Sequence, residues 1–176
     1  MLTFLLGGAR SGKSALAQQM AERSRLEVTI VATAEEFDPD LRARVARHRA
    51  DRPAGWTTVE EPLWLGRGVR EASPDQFLVV DCVTVWLGNL VHRLGTGAVE
   101  EEVDHLVEAL QTRRIAPTVV VSNEVGLGIH PETELGREYR DLLGRTNQRI
   151  AAVADTTLLL VAGRALRLDD PWTALS

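Results

Sequence analysis

The chain is 176 residues long, which is enough for one domain with a sizeable hydrophobic core. Hydrophobic residues make up 44% of the sequence and charged residues 26%, and the formal net charge of −5 leaves no overall basic field for nucleic acid or an anionic membrane. No apolar run approaches the length of a membrane-spanning helix, about 18 residues. The single cysteine, Cys82, excludes an internal disulfide and fits a reducing compartment. We therefore expect a cytoplasmic protein with no membrane insertion and no nucleic-acid partner.

The N-terminal residues predict a strand, a glycine-rich loop and a helix. Residues 2–6 form an apolar run typical of a buried strand, and residues 15–23 combine strong helix formers with apolar positions at helical spacing. The segment between them fits G-x-x-x-x-G-K-[ST], the phosphate-binding loop, in which glycines let the main chain wrap around phosphate oxygens at a helix N-terminus. The predicted nucleotide-binding residues of this loop are Gly7, Gly8, Ala9, Arg10, Ser11, Gly12, Lys13 and Ser14.

Lys13 is the only lysine among the 20 lysine and arginine residues of the chain. A compact ammonium on a thin stem can reach between phosphates where a guanidinium fork cannot substitute for it. We therefore predict a catalytic role for Lys13 in contact with the phosphates. The alternative is an ordinary glycine-rich turn that happens to match the motif.

Further along the chain, apolar strands alternate with amphipathic helices. The other predicted strands are 28–33, 56–60, 76–81, 118–122, 156–161 and 165–168, and the other predicted helices are 38–52, 62–70, 84–92, 99–110 and 135–153. This alternation predicts an α/β fold, with a mostly parallel sheet covered by helices on both faces. We expect a single nucleotide-binding domain over residues 1–176, with most of the four tryptophans in its core.

Ligands of such sheets bind outside the carboxyl ends of the strands. This rule places the phosphate loop, Thr33, Asp81 and residues 122–124 at one edge of the sheet. Asp81 ends an apolar strand and so resembles the second nucleotide-binding motif, which is an aspartate after an apolar strand. In that role Asp81 would hold Mg²⁺ together with Ser14. The alternative for Asp81 is a cap of the following helix.

A basic segment, residues 44–53, stands out in this acidic chain and contains His48 among four arginines. The usual meaning of such a segment is a solvated helix face. His48 lies at the border of the polar and apolar faces of the predicted helix. It is either a packed, hydrogen-bonded histidine or a nucleophile, because a neutral imidazole is available at physiological pH. The residue pattern does not decide between the two. His130, in the glycine-rich loop after residues 123–124, could also approach a ligand.

These motifs resemble the bifunctional adenosylcobinamide kinase/adenosylcobinamide-phosphate guanylyltransferase family of cobalamin biosynthesis, and the resemblance runs almost end to end. The two most specific blocks are H-x-x-x-R-P-x-x-W, from His48 to Trp56, and N-E-V-G-x-G-I-x-P, from Asn123 to Pro131. The other matching parts are residues 7–14, 32–34, 44–53, Thr58, Glu60, 81–84, 89–90 and the stretch from 140–141 to 147–148.

The resemblance implies two reactions. A nucleoside triphosphate, ATP or GTP, phosphorylates the aminopropanol hydroxyl of adenosylcobinamide, and GTP then donates GMP to that phosphate, giving adenosylcobinamide-GDP. In this family the guanylyl group passes through a covalent histidine, and the matching position is His48. The resemblance also implies a RecA-like P-loop fold and a homotrimer. The nucleotide-binding positions that it adds are Thr33, Ala34, Arg49, Ala50, Asp51, Arg52 and Glu60.

Two other functions fit parts of the pattern. A P-loop kinase with a single activity on a small molecule would need the phosphate loop but no histidine nucleophile. A non-catalytic GTP-binding switch would also use the loop, but the sequence has no N-K-x-D element, which argues against it.

Overall fold

The computed structural model describes residues 1–34, 53 and 55–175. The strands are β1 (Leu2–Gly7), β2 (Val28–Ala32), β3 (Thr57–Glu60), β4 (Phe77–Asp81), β5 (Thr118–Val121), β6 (Thr156–Val161) and β7 (Arg164–Leu168). The helices are α1 (Lys13–Ser24), α2 (Leu65–Glu71), α3 (Val83–Leu94), α4 (Val99–Thr112), α5 (Glu134–Val153) and α6 (Pro171–Ala174), and a 3₁₀ turn, Thr96–Ala98, precedes α4. The predicted helix over 38–52 lies outside the described residues.

The strands form one sheet in the order β3-β2-β4-β5-β1-β6-β7. Each neighbouring pair is parallel except β6 and β7, which form an antiparallel hairpin. Strand β5 lies between β1 and β4, with Val121 in register with Leu5 on one side and Asp81 on the other. The mostly parallel sheet predicted from the sequence is therefore confirmed, and one strand separates the phosphate loop from Asp81.

Both faces of the sheet are covered. On one face, α1 packs through Ala17 and Ala21, whose small side chains let it lie close to residues such as Leu5 and Val79. On the other face, α2 to α5 pack over residues such as Phe4. Alternate residues of β1 thus enter opposite cores, as the two-residue period of a strand requires.

The tryptophan prediction was wrong for most positions. Trp86 is fully buried and donates its indole N–H to the Leu63 carbonyl at 2.7 Å. Trp64 and Trp172 are exposed, at 39% and 80% of their surface, and Trp56 is only partly buried. Trp86 lies on the buried face of α3 and belongs to the core cluster between the sheet and helices α2 to α5, so its position on the helix and not its residue type decides its burial.

Candidate nucleotide-binding site

The phosphate loop turns sharply between β1 and α1. Gly7, Arg10 and Gly12 have φ angles of 149°, 58° and 103°, in the range that favours glycine. A Cβ on Gly7 would lie 2.3 Å from the Leu160 carbonyl oxygen, so the neighbouring strand leaves no room for a side chain. The glycines of the motif are therefore required by the curvature of the loop and by its contact with β6.

The Lys13 side chain folds into this loop. It is only 7% exposed, and its Nζ donates hydrogen bonds to the carbonyl oxygens of Gly7 at 2.9 Å and Gly8 at 2.7 Å. Its distance to the Ser11 hydroxyl is 3.4 Å. The ammonium of the only lysine in the sequence is thus held at the loop, next to the amides of the α1 N-terminus, where an anion is favoured.

Two segments distant in sequence support the loop from either side. The Gly163 N–H, in the β6–β7 turn, donates to the Ser11 carbonyl at 3.0 Å. The Glu124 N–H, just after β5, donates to the Gly7 carbonyl at 3.2 Å. Sequence reasoning missed the role of Gly163, because no local pattern links a hairpin turn to a loop about 150 residues earlier.

The ends of β2 and β4 are joined through Thr33. Its hydroxyl is completely buried, donates to the Cys82 carbonyl at 2.8 Å and accepts the Cys82 N–H at 3.0 Å. The Asn89 side-chain amide donates to the Thr33 carbonyl at 2.7 Å. The Thr33 N–H also donates to the Asp81 carbonyl at 3.2 Å, so the hydroxyl, N–H and carbonyl of Thr33 are all hydrogen-bonded within the chain. The nucleotide contact of Thr33 stays a prediction.

Cys82 follows Asp81 through a cis peptide bond, is partly buried and packs against the core on the α1 face of the sheet. Burial, and then the negative charge of Asp81, raise the pKa of its thiol to about 12. The thiol is therefore neutral over the physiological range and is not a nucleophile there.

A polar network lies behind the end of β5. The Ser122 hydroxyl donates to Asn147 Oδ1 at 2.7 Å, and Asn147 Nδ2 donates to the Asn123 carbonyl at 3.0 Å. The Asn123 N–H donates to Thr84 Oγ1 at 2.8 Å, and the Tyr139 hydroxyl donates to the Thr84 carbonyl at 2.8 Å. Helices α3 and α5 thus fix residues 122–123 at the edge that carries the phosphate loop.

Several predicted site residues do meet at this edge, as the parallel strands require. The loop residues 7–14 follow β1, Thr33 and Ala34 follow β2, and Asp81 ends β4. Glu60 ends β3, which is separated from β1 by three strands, so it lies at the far end of the same edge. The other predicted nucleotide contacts, and the predicted nucleophile, lie outside the described residues: His48, Arg49, Ala50, Asp51 and Arg52.

Ser14, in the first turn of α1, and Asp81 are both partly exposed, and they offer a hydroxyl and a carboxylate oxygen. Such oxygens suit Mg²⁺, which keeps several waters and binds few protein ligands. Over residues 1–34 and 55–175, no three histidine, cysteine, aspartate or glutamate side chains form a metal-binding group. In the same part of the chain, no helix is long and apolar enough to cross a membrane.

The sheet and loop together define a P-loop NTPase fold of the RecA-like kind. Solved structures agree: the chain aligns with the RadB recombinase at a TM-score of 0.52 and 18% identity, covering 90% of this chain and 73% of that one. It also aligns with the flagellar accessory protein FlaH from Methanocaldococcus jannaschii at a TM-score of 0.52 and 16% identity, covering 96% and 77%. At such identities the likeness concerns the fold alone.

Sequence comparison identifies the family. Residues 3–168 match the family described as cobinamide kinase / cobinamide phosphate guanyltransferase. The bifunctional adenosylcobalamin biosynthesis protein CobP of Pseudomonas aeruginosa is 43% identical, covering 96% of this chain and 97% of the relative. The corresponding CobU protein of Salmonella typhimurium is 36% identical, covering 96% and 99%.

The chain therefore belongs to the cobinamide kinase / cobinamide phosphate guanyltransferase family. It is a transferase of cobalamin biosynthesis. The family, the enzyme class and the P-loop fold expected from the sequence motifs are all confirmed.

Proposed function

We propose that this chain carries out both reactions of its family. It phosphorylates the aminopropanol hydroxyl of adenosylcobinamide with ATP or GTP, and it then transfers GMP from GTP to that phosphate. The observation that carries the proposal is the buried Lys13 ammonium inside a phosphate loop, in a chain that matches the family over nearly its whole length. A loop that binds the triphosphate chain can serve attack at either the γ- or the α-phosphorus.

In the proposed complex, the loop amides of residues 7–14 and the Lys13 ammonium bind the phosphates. Their positive charge offsets the negative charge that moves onto the leaving phosphate oxygens in both reactions. Lys13 would exchange its hydrogen bonds to Gly7 and Gly8 for bonds to phosphate oxygens, which are stronger acceptors because they are ionised.

Ser14 and Asp81 would hold Mg²⁺. Their oxygen donors and their place at the same edge of the sheet support this assignment. When bound, Mg²⁺ would neutralise charge on the phosphate oxygens. Thr33, Ala34 and Glu60, at the ends of β2 and β3, would bind the nucleotide farther along the edge.

For the guanylyl step, we propose His48 as the nucleophile. A neutral imidazole nitrogen attacks the α-phosphorus of GTP, the bond to the β-phosphate oxygen breaks, and pyrophosphate leaves. The phosphate of the corrinoid substrate then attacks the same phosphorus and releases His48. Arg49 to Arg52, beside His48 in sequence, would contact the guanine nucleotide. The family match over 3–168 supports these roles.

We also propose that residues 1–176 form one P-loop nucleotide-binding domain that works in the cytoplasm as a homotrimer. The single sheet that runs from β1 to β7 supports one domain. The lone cysteine supports a reducing compartment. The trimer rests on the family resemblance and is tested by light scattering of the purified protein.

Product analysis of the wild-type protein tests the proposal. The protein is incubated with adenosylcobinamide and with GTP labelled at either the γ- or the α-phosphorus. We expect γ-label in adenosylcobinamide phosphate and α-label in adenosylcobinamide-GDP. A single-activity kinase would give only the γ-labelled product, and a GTP-binding switch would release labelled phosphate and label no corrinoid. Either of those results would overturn the bifunctional assignment.

A further inference from the structure

The two proposed reactions differ in their need for a base. In the kinase step the acceptor is an alcohol, whose proton must leave as its oxygen bonds to the γ-phosphorus. In the guanylyl step the acceptor is already an ionised phosphate, and no proton has to be removed from it. Substitution of a residue that serves only as the base of the kinase step should therefore lower the kinase activity and leave guanylyl transfer intact.

Four carboxylates of the described residues lie at, or within three residues of, the carboxyl ends of the parallel strands: Glu60, Glu61, Asp81 and Glu124. Glu61 is buried, and its carboxylate accepts hydrogen bonds from Arg67 at 2.6 Å and from the Trp64 N–H at 2.9 Å. These bonds outweigh the effect of burial and lower the pKa of Glu61 below its usual value. Glu61 is thus committed to holding the start of α2.

Glu60 and Asp81 are also poorly suited to act as the base. Strand β3, which ends at Glu60, is four strand spacings from β1, or about 19 Å from the strand that carries the phosphate loop. Asp81 is the carboxylate that the proposed function assigns to Mg²⁺. Glu124 remains.

Glu124 lies beside the phosphate loop. It follows β5, the strand between β1 and β4, and its N–H donates to the Gly7 carbonyl at 3.2 Å. The two preceding residues are held as well, because the Ser122 N–H donates to the Leu5 carbonyl and the Asn147 side chain holds the Asn123 carbonyl. The main chain that carries Glu124 is therefore fixed relative to the loop.

The Glu124 carboxylate is itself oriented. Its Oε1 accepts the Gly126 N–H at 2.6 Å, while Oε2 accepts no hydrogen bond from the part of the chain that the structure describes. A Cβ at position 126 would lie only 2.8 Å from Oε1, so the glycine at this position avoids a clash with the carboxylate. One oxygen is held by the loop, and the other remains for a proton.

We propose that Glu124 is the general base of the kinase step, an inference that rests on the proposed function. Its carboxylate accepts the proton of the aminopropanol hydroxyl, and the alcohol oxygen forms a bond to the γ-phosphorus. The bond between the γ-phosphorus and the β–γ bridging oxygen breaks, and the nucleoside diphosphate leaves with that electron pair. Glu124 has no proton to take from the substrate in the guanylyl step.

Glu124→Gln tests this role, because a glutamine oxygen still accepts the Gly126 N–H but is no longer a useful base. Both activities are measured: γ-phosphate transfer to adenosylcobinamide, and GMP transfer to preformed adenosylcobinamide phosphate. We expect kinase kcat to fall by about 100-fold or more, the usual contribution of a general base. We expect guanylyl transfer to stay within about threefold of wild type, which also reports that the variant is folded.

A second pair of variants tests the orientation of the carboxylate. Gly126→Ala places a methyl group against Glu124 Oε1, whereas Gly128→Ala, in the same loop, places one 3.5 Å from the Val125 carbonyl oxygen, an ordinary contact. We expect Gly126→Ala to lower kinase kcat selectively and Gly128→Ala to leave both activities unchanged.

The outcomes separate this inference from the proposed function. If the wild type lacks either activity, the bifunctional assignment fails. If the wild type has both, a kinase loss of tenfold or more in Glu124→Gln with guanylyl transfer preserved supports the base. A smaller kinase loss, or an equal loss of both activities, overturns it.

Discussion

Two buried cations lie at opposite edges of the sheet, and both donate hydrogen bonds to main-chain carbonyls. Lys13, at the carboxyl edge, is 7% exposed and bonds to Gly7 and Gly8. Arg113, at the amino edge, is 8% exposed and bonds to the carbonyls of Ala72, Ser73 and Gln76 at 2.6 to 2.9 Å. The hydrogen-bonding chemistry is alike, but the surroundings of the two side chains differ.

Arg113 joins the end of α2 to the turn before β4, so its N–H donors are used by main-chain carbonyls of the protein itself. Burial lowers the pKa of Arg113, because removal from water disfavours the charged form of the guanidinium. Lys13 instead lies in a loop of positive-φ residues at a helix N-terminus, where phosphate oxygens can replace the carbonyls. A buried cation therefore indicates function only where the surrounding main chain can also accommodate an anion.

Lys13→Ala should give the largest effect on activity. It removes the ammonium that offsets charge on the phosphates in both reactions, so we expect kinase and guanylyl transfer each to fall by about 100- to 1,000-fold. Steady-state assays of both activities measure this. The thermal midpoint should hardly change, because water can reach the exposed Gly8 carbonyl.

Lys13→Arg is the matched control for charge. A guanidinium fork does not reproduce a compact ammonium, so we expect little recovery of either activity. Full activity of Lys13→Ala in either assay would contradict a single phosphate loop that serves both transfers.

His48→Ala should affect one activity only. We expect guanylyl transfer to fall to the background of the assay, because the covalent route is lost, and kinase activity to stay within about tenfold of wild type. Assays with adenosylcobinamide and with its preformed phosphate measure the two separately. With Glu124→Gln, this variant forms a reciprocal pair, and retention of guanylyl transfer in His48→Ala would exclude the nucleophile role.

Arg113→Met should reverse the pattern of Lys13→Ala. The methionine keeps part of the apolar stem but leaves the buried Ala72 carbonyl and the partly buried Ser73 and Gln76 carbonyls without this donor, which costs about 2 kcal/mol of the free energy of unfolding. The thermal midpoint should fall by about 4–8 °C for a chain of this size, as measured by calorimetry. Both activities, per folded molecule, should stay near wild type at low temperature, and a selective loss of one activity would show that the amino edge is not merely structural.

The smallest effect concerns Cys82, behind the site. With its pKa raised from 9.0 to about 12, the folded protein holds the thiol neutral at pH 8, so alkylation by iodoacetamide should be at least about 100-fold slower than in urea-unfolded protein. The stability that this preference for the neutral thiol provides is present below pH 9 and is lost as pH rises from about 9 to 12. Equal alkylation rates in folded and unfolded protein would show that this part of the edge is open.

The sequence was sufficient for most of the fold because the signals are local. Apolar runs and helical spacing located β1, β4, β5 and α5 to within a few residues. The order of the strands has no such signal, since β5 reaches its place between β1 and β4 only through contacts between distant residues. The helix predicted over 38–52 stays a prediction.

In the site too, local sequence signals were predictive and contacts between distant residues were not. The phosphate-loop motif predicted that Lys13 lies at the loop, because the motif spans a single local turn, and the Lys13 ammonium does lie there. Its catalytic role stays a prediction. The hydrogen bonds from Gly163 to Ser11 and from Asn147 to Asn123 join residues far apart in sequence, and glycine or asparagine alone indicates no partner. Thr33 was expected to bind nucleotide, and the burial of its hydroxyl against Cys82 depends on the pairing of β2 with β4.

Mapping of the covalent intermediate tests the central claim most directly. Wild-type protein is incubated with α-labelled GTP in the absence of corrinoid, digested, and its labelled peptides are identified by mass spectrometry. We predict one GMP group, stable to base and labile to acid, on the peptide that contains His48. We predict none in His48→Ala, and adduct formation about 100- to 1,000-fold slower in Lys13→Ala. No adduct on the wild type, or a GMP group on another residue, would contradict the account.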